Sequence, residues 1–456
     1  MPTLPTFNPA NFTPGAPINN LLFPLRPGTI QSYSGTFVDE DGETHTQTND
    51  FFVTGLTEMV DGVRVVVVRD VVYEDGVLIE DTIDRFAQDK SGNVWYLGEI
   101  TNAYEFNDDG TFDGVSHEGA WTAGVNGALP GFQMEASPHV GDSYFQEFAP
   151  GIAVDEALVT ATNLTVKAGR TYQHVLSTTE TTALEPGVID FKYYAPGIGL
   201  VRVDEDVSAS GQPSSISTLV GTRVLSGNGD TNRDTPEVRD FAGSGGDFTI
   251  SMVSHDTDSI NALGAYIFDL ATGQIKEGWI VYDAIGDAPL APVDVDVDAG
   301  EGLGLFLIPN ADETGVDWSD FDNGGLFFVN MLTGAPATIA DGMAPLMVDN
   351  HGDALPVLAF HALGSAAGYN LLNPGAGVNA IEGHAAGFDD VICFEDSRIT
   401  DPEHDRDFDD LILAISGGPA EQSATSALAG EGFANAHLEH AEAHAAPLID
   451  HGLWLI

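Results

Sequence analysis

The sequence predicts an all-β protein in two parts: an antiparallel β-meander, forming a curved sheet or an incomplete barrel, then a β-sandwich with a short helical tail. Three observations lead there. Asp61-Gly62, Asp75-Gly76 and Ser91-Gly92 separate short runs of branched and aromatic residues, the mark of consecutive hairpins. In the second half, "LGLFLIPN", "GGLFFVNM", "ALPVLAFHA", "DDVICFED" and "DDLILAIS" are apolar segments broken by Gly, Asn, Asp and Pro, as a sandwich requires. Little in that half, residues 248–416, has helical period.

At 456 residues the chain exceeds one typical core, so two domains with room for a tail are expected. Residues 1–20, rich in Pro, Asn and Thr, read as an extended lead-in. Residues 21–224 carry the meander. Residues 225–247, with "SGNGDTNRDTPEVRDFAGSGGD" at their centre, read as an acidic Gly/Asp linker. Inside it Asp230, Asn232 and Asp234 keep the alternate spacing of an EF-hand-type loop, a candidate second metal site beside the plain linker. Thr235, however, takes the turn position where Gly is wanted, and no Glu stands at the twelfth place. The sandwich spans 248–416. The tail, 417–456, is Ala rich and sets His437, His440 and His444 on one helix face, either a polar face or a set of transition-metal ligands.

Charge narrows the partners. Fifteen basic against seventy acidic residues give a formal −55, which excludes nucleic acid and an anionic membrane surface, since both need a basic footprint. Cations are the natural counter-species, with a salt-rich setting as the general alternative. After Asp240 the basic residues are Lys276, Arg398 and Arg406 alone. Cys393 is the single cysteine, so no disulfide forms within the chain, and between Val391, Ile392 and Phe394 it reads as a core residue of a strand. No apolar stretch suits a membrane-spanning helix, and the opening residues lack the basic and apolar regions of a secretory signal. The apolar end, Leu453 to Ile456, resembles the uncleaved C-terminal signals of type I secretion substrates, so an extracellular or cell-surface location without a cleaved N-terminal signal is expected.

The chemistry concentrates in "FEDSRITDPEHDRDFDD", residues 394–410, between two apolar strands. A strand-flanked loop is a rigid frame, and Asp405, Asp407 and Asp409 at alternate spacing can converge on one centre. Calcium fits best, because it takes six to eight oxygen ligands in loose geometry, whereas magnesium wants a tighter octahedron and zinc would find only His404. Arg406 alone cannot neutralise the cluster. A solvated acidic turn and a paired-carboxylate hydrolase are the alternatives. In "PVDVDVDAGEG" a strand would place Asp294, Asp296 and Asp298 on one face, a solvated one rather than a metal ladder. There is no G-x-S-x-G, H-E-x-x-H or phosphate-binding glycine loop, and His351, His361 and His384 are given no role.

Two resemblances accompany this reading. "FPLRPGT" (23–29), "VYEDG" (72–76), "AQDKSGNVWYLGE" (87–99), "APGIAVDEA" (149–157) and "LEPGVIDFKYYAPGIGLVRV" (184–203) resemble an uncharacterised β domain of bacterial exported proteins, which carries no activity to transfer. "LGLFLIPN" (303–310), "ALPVLAFHALGSAAGYNLLNPGAG" (354–377) and "VICFEDSRITDPEHDRDFDDLILAIS" (391–416) resemble a calcium-associated β-sandwich domain of unknown function in bacterial secreted and surface proteins. Its hallmark is Phe-Glu-Asp followed by Asp-Arg-Asp-Tyr-Asn-Asp. The resemblance implies calcium ligands at Glu395, Asp396, Asp405, Asp407, Asp409 and Asp410; Asp409 stands where Asn is usual and Phe408 where Tyr is, while Glu403 and His404 replace Gly. The expectation is an exported calcium-binding protein of structural or adhesive role, self-assembling or bound to a surface or matrix component, and not an enzyme. A ligand- or polysaccharide-binding N-terminal sheet, signalled by an apolar cavity, and a hydrolase with separated carboxylates in a cleft are the alternatives.

Overall fold

Asp61 and Gly62 lie at φ 43° and 80°, and Asp75 and Gly76 at 47° and 92°. Two successive left-handed residues are what a type I′ hairpin turn demands, and Asp-Gly adopts them at low cost. These turns join Thr44–Val60, Val63–Glu74 and Val77–Gln88 into one ladder, which Val94–Phe106 extends.

The computed structural model describes residues 2–39, 42–225, 241–242, 246–257, 259–286, 290–363, 369–385, 388–398, 400, 407–417 and 453–455. The chain divides into two units, Met1–Glu105 with Val115–Leu225, and Phe106–Gly114 with Ser226–Ile456. Strands dominate; the helices among the described residues are four 3-10 turns of three or four residues. None is long and apolar enough to cross a membrane.

The first unit is built on one antiparallel sheet. Its order starts at Ser143–Phe145 and passes through Asp155–Ala168, Arg170–Thr182, Asp190–Ala195, Gly199–Glu205 and Ser215–Val224. It continues with Thr29–Val38 and the hairpins above, and ends at Leu129–Met134 and Glu147–Phe148. The ends of that order also meet, Leu129–Met134 touching Ser143–Phe145 and Glu147–Phe148 touching Asp155–Ala168. The meander is therefore a nearly closed barrel, in which strand side chains alternate between lumen and exterior.

The lead-in is extended, but it is no loose arm. Phe12 and Ile18 are buried in a cluster with Phe23, Val94, Trp95 and Tyr144, and Thr3 bridges Tyr144. The apolar residues among the prolines outweigh the linker-like composition.

In the second unit, one sheet orders Phe241–Ala242, Glu301–Ile308, Asn261–Asp269 and Ile275–Ile285. The other orders Val293–Val297, Gly246–Ser254, Leu411–Gly417, Phe388–Phe394, Ala380–Ala385 and Leu453–Leu455. Their inner faces share a core: Leu263, Leu303, Leu305 and Leu307 from one, Phe248, Ile392, Phe394, Leu411 and Leu413 from the other. This is the expected sandwich. The linker is shorter than composition implies, since Phe241–Ala242 and the chain from Gly246 already lie in sheets. Residues 418–452, where the helical tail and its histidines were expected, lie outside the described residues, and Leu453–Leu455 forms a short strand.

Three glycines fix how the strands of the first sheet meet. Gly264, Gly302 and Gly304 stand directly opposite Phe306, Phe268 and Tyr266 in the ladder, and a Cβ on each would come within 2.0, 2.3 and 2.3 Å of the partner's ring. Each ring lies over the space its glycine leaves. Gly304→Ala is therefore expected to destabilise the sandwich by about 1–3 kcal/mol through overpacking, measured as a lowered urea midpoint with an unchanged slope.

Candidate functional site

Phe394 pairs with Leu411 at the end of the ladder between Phe388–Phe394 and Leu411–Gly417, so the acidic connection leaves and returns at one place. Asp396 is its anchor. Its backbone N–H donates to Asp410 Oδ2 at 2.8 Å, and its own Oδ2 accepts from Thr257 Oγ1 at 2.6 Å and Asn261 Nδ2 at 2.8 Å. Asn261 is fully buried and also accepts from the Asn310 N–H, at 3.0 Å. Glu395 is buried, with Oε1 accepting from Ser397 Oγ at 2.6 Å. Asn379 Nδ2 holds the turn by donating to the carbonyls of Glu395 and Ser397.

On the returning side Phe408 takes φ 58°, a left-handed kink between Asp407 and Asp409. Asp410 bears the electrostatic load: burial first, then the charges of Asp396, Glu395 and Asp407, push its carboxyl up to about 9. Asp409 is buried and acts on the thiol of Cys393, which burial pushes up to about 12. Cys393 is thus an inert core residue, as the strand pattern indicates. The fold brings Glu395, Asp396, Asp407, Asp409 and Asp410 to one corner, while Asp405 lies outside the described residues, as do Asp230, Asn232 and Asp234. Arg398 is buried in the same connection, an internal cation that counting Arg406 alone overlooks. Thr257, Asn261 and Asn379 carry no sequence signal for their part, because they act from segments distant in the chain.

The second acidic site has no counterpart in the sequence reading. The barrel encloses a cavity of about 520 Å³, lined by nine carboxylate side chains and a single cation, Lys192. Register places these acids against one another: Asp84 stands opposite Glu99, and Glu180 opposite Asp190. Like charges directly opposed on a sheet repel. Lys192 Nζ sits 2.7 Å from Glu180 Oε2, and Glu180 Oε1 also accepts from Thr178, Gln146 and Tyr194.

Between Asp84 and Glu99 lies the hydroxyl of Tyr96, 2.6 Å from Asp84 Oδ1 and 2.7 Å from Glu99 Oε2. A phenol has one proton to give. If it donates to one carboxylate, the other contact needs a proton on the carboxyl itself, so the trio holds two protons and one negative charge. Burial and the Asp84 charge push Glu99 up to about 8, while burial lifts Asp84 to about 6. Asp70 and Glu147 also rise well above the ordinary range, each chiefly through burial and next through a neighbouring acid. Glu147 accepts from the Trp121 indole N–H, and Asp70 from Asn49.

Other clusters resolve simply. Asp39, Glu43 and His45 lie close enough for a metal, but both ring nitrogens of His45 meet carboxylates, Nδ1 with Asp75 at 2.7 Å and Nε2 with Asp39 at 3.2 Å. Those two acids raise its pKa, and the ring clips the ends of two hairpins together. His361 is buried and pulled down to about 3, a neutral core imidazole. The strand Val293–Val297 buries Val295 and Val297 and exposes Asp294 and Asp296, the solvated face expected.

No family model matches the chain, and no curated protein matches it in sequence. A solved structure described as "a putative lipoprotein from Parabacteroides distasonis ATCC 8503" aligns at 11% identity and a TM-score of 0.23, over 45% of this chain and 99% of that one. A likeness at that level transfers neither fold nor function.

The lumen predicts a pH dependence with a definite sign. Glu99 holds its proton in the folded barrel up to about 8, against an ordinary value near 4.3 in the unfolded chain. Its stabilisation is complete below the ordinary value and is lost as pH rises through 8, with a slope approaching 1.4 kcal/mol per unit, roughly, for one proton. Urea unfolding of the first unit between pH 5 and 9 should show this decline, and Glu99→Gln should flatten it by about one proton's worth.

Proposed function

We propose that the protein is exported and that calcium, bound by the 395–410 connection, holds its sandwich together for a structural or adhesive role outside the cell. The observation that carries the reading is the joining of Asp396 to Asp410 by a backbone hydrogen bond, at a corner where burial and the charges of Asp396, Glu395 and Asp407 outweigh that bond and push the Asp410 carboxyl up to about 9. A hard divalent ion with oxygen ligands is the counter-charge such a corner accepts. The motif resemblance and the net charge of −55 support the same choice. Binding would replace the proton on Asp410 and couple to folding by mass action. In low calcium the connection would be loose; outside the cell it would close.

A second reading, that the first unit is a ligand-binding module, draws support from the 520 Å³ cavity, within the range of small-molecule sites. The lining is not the apolar one expected, since carboxylates share it with aromatic rings.

Thermal unfolding with excess calcium, excess magnesium or chelator tests the first reading. Calcium at a hundred times its dissociation constant should stabilise by about 2.7 kcal/mol, raising the midpoint by several degrees beyond magnesium. Asp407→Ala combined with Asp410→Ala should lose the gain. A midpoint indifferent to calcium would end the reading.

A further inference from the structure

Building on the reading of the barrel as a binding module, we propose that its cavity takes a small organic cation, with ammonium groups on an aliphatic stem as in an alkyl diamine or polyamine. Nine carboxylates face the space against one ammonium, and that ammonium, Lys192, is already engaged by Glu180 at 2.7 Å. The walls between the acids are aromatic: Phe23, Phe51, Phe86, Tyr96 and Tyr194 line the same space. Aromatic faces attract ammonium groups and cover methylene stems, whereas they offer nothing to an anion.

The acids lie on two strand pairs, Asp84 with Glu99 and Glu180 with Asp190, and the charge of Lys192 acts on Asp84 while that of Asp155 acts on Glu99, Glu147 and Lys192, so they surround one space. A metal ion gathers its ligands within about 2.6 Å, which is small against a cavity of about 520 Å³. An aliphatic stem with an ammonium at each end fills more of it and meets more of the acids.

The protons now present mark where the charge belongs. The single phenol proton of Tyr96 cannot satisfy both Asp84 and Glu99, so a carboxyl proton completes the bridge. An incoming ammonium supplies both positive charge and N–H donors there. It displaces that proton to solvent, and the carboxylate keeps the bonding pair.

Titration calorimetry on the full chain in excess calcium tests this, using spermidine, putrescine and 1,4-butanediol, the neutral isostere of putrescine, in 0.15 M salt. Spermidine should bind one to one, with an enthalpy that changes with the ionisation heat of the buffer as protons are released. Butanediol should bind at least tenfold more weakly than putrescine. Asp84→Asn with Glu99→Gln keeps shape and hydrogen bonding and removes the charge; it should weaken spermidine at least tenfold, with the unfolding midpoint of the variant recorded in parallel. Asp294→Asn, on the solvated face, should change nothing.

Equal binding of butanediol and putrescine would overturn the cationic ligand while leaving the cavity a binding site. Absence of binding by any of the three probes would overturn both. Multiple spermidine molecules per chain, weakened as much by Asp294→Asn as by the cavity variant, would mean surface counterions and would overturn the proposal too. Loss of spermidine binding in a cavity variant that still melts cooperatively would uphold it; should that variant fail to fold, the wild-type comparison of putrescine with butanediol decides.

Discussion

Antiparallel register is the constraint on which both acidic sites depend. Once the connections 89–93 and 183–189 set Val77–Gln88 against Val94–Phe106 and Arg170–Thr182 against Asp190–Ala195, every residue of those strands has an assigned partner and an assigned face. Asp84 has no option but to face Glu99, and Glu180 to face Asp190. Apolar contacts such as Phe86 on Tyr96, stacked at 5.0 Å, hold the register that creates the repulsion. A slip by one residue would relieve the acids and turn those rings out of the core, so the opposed carboxylates persist because the hydrophobic term is larger.

The two sites relieve crowding by different means. In the sandwich corner, neutral donors do part of the work: Thr257, Asn261 and a backbone N–H reach Asp396 and Asp410. Because those donors come from segments far apart in the chain, the corner exists only when the sandwich is assembled. Asp410 adds one proton there, whereas in the barrel several carboxyls, Glu99, Asp70 and Glu147, hold protons above their ordinary range beside donors such as Tyr96 and Trp121. A proton is the smallest available counter-ion and fills none of the cavity's volume. Hydrogen-bond donors fix geometry, whereas protons leave space, and the difference sets what each site can take in.

The sequence made the all-β class, the Asp-Gly hairpins, the sandwich and the acidic connection legible, because each has a local signature in turn dipeptides, apolar runs or charge spacing. It concealed the lumen because its acids are scattered from Asp70 to Glu205 and gather only when the barrel curls. A partial signal was present in "DFKYYA", where Asp190, Lys192 and Tyr194 share one face of a strand. Such alternation reads as a wet exterior unless something says which face is inside. The lead-in misled for the converse reason: its prolines and asparagines suggest a linker, while Phe12 and Ile18, few but buried, bind it to the core.

The formal charge of −55 is a poor guide to where cations matter. Asp294 and Asp296 are exposed and cost the fold little, since exposed charges are screened within about 10 Å at ordinary salt. Glu99 and Asp410 contribute less than a full charge near neutral pH because burial and neighbours keep them protonated. The acids that do not ionise are therefore the informative ones: each marks a place where the fold forces a carboxyl out of water beside another. A counter-ion bound at such a place would relieve that repulsion. Excess surface charge raises the local concentration of every cation, and buried carboxyl geometry then selects among them.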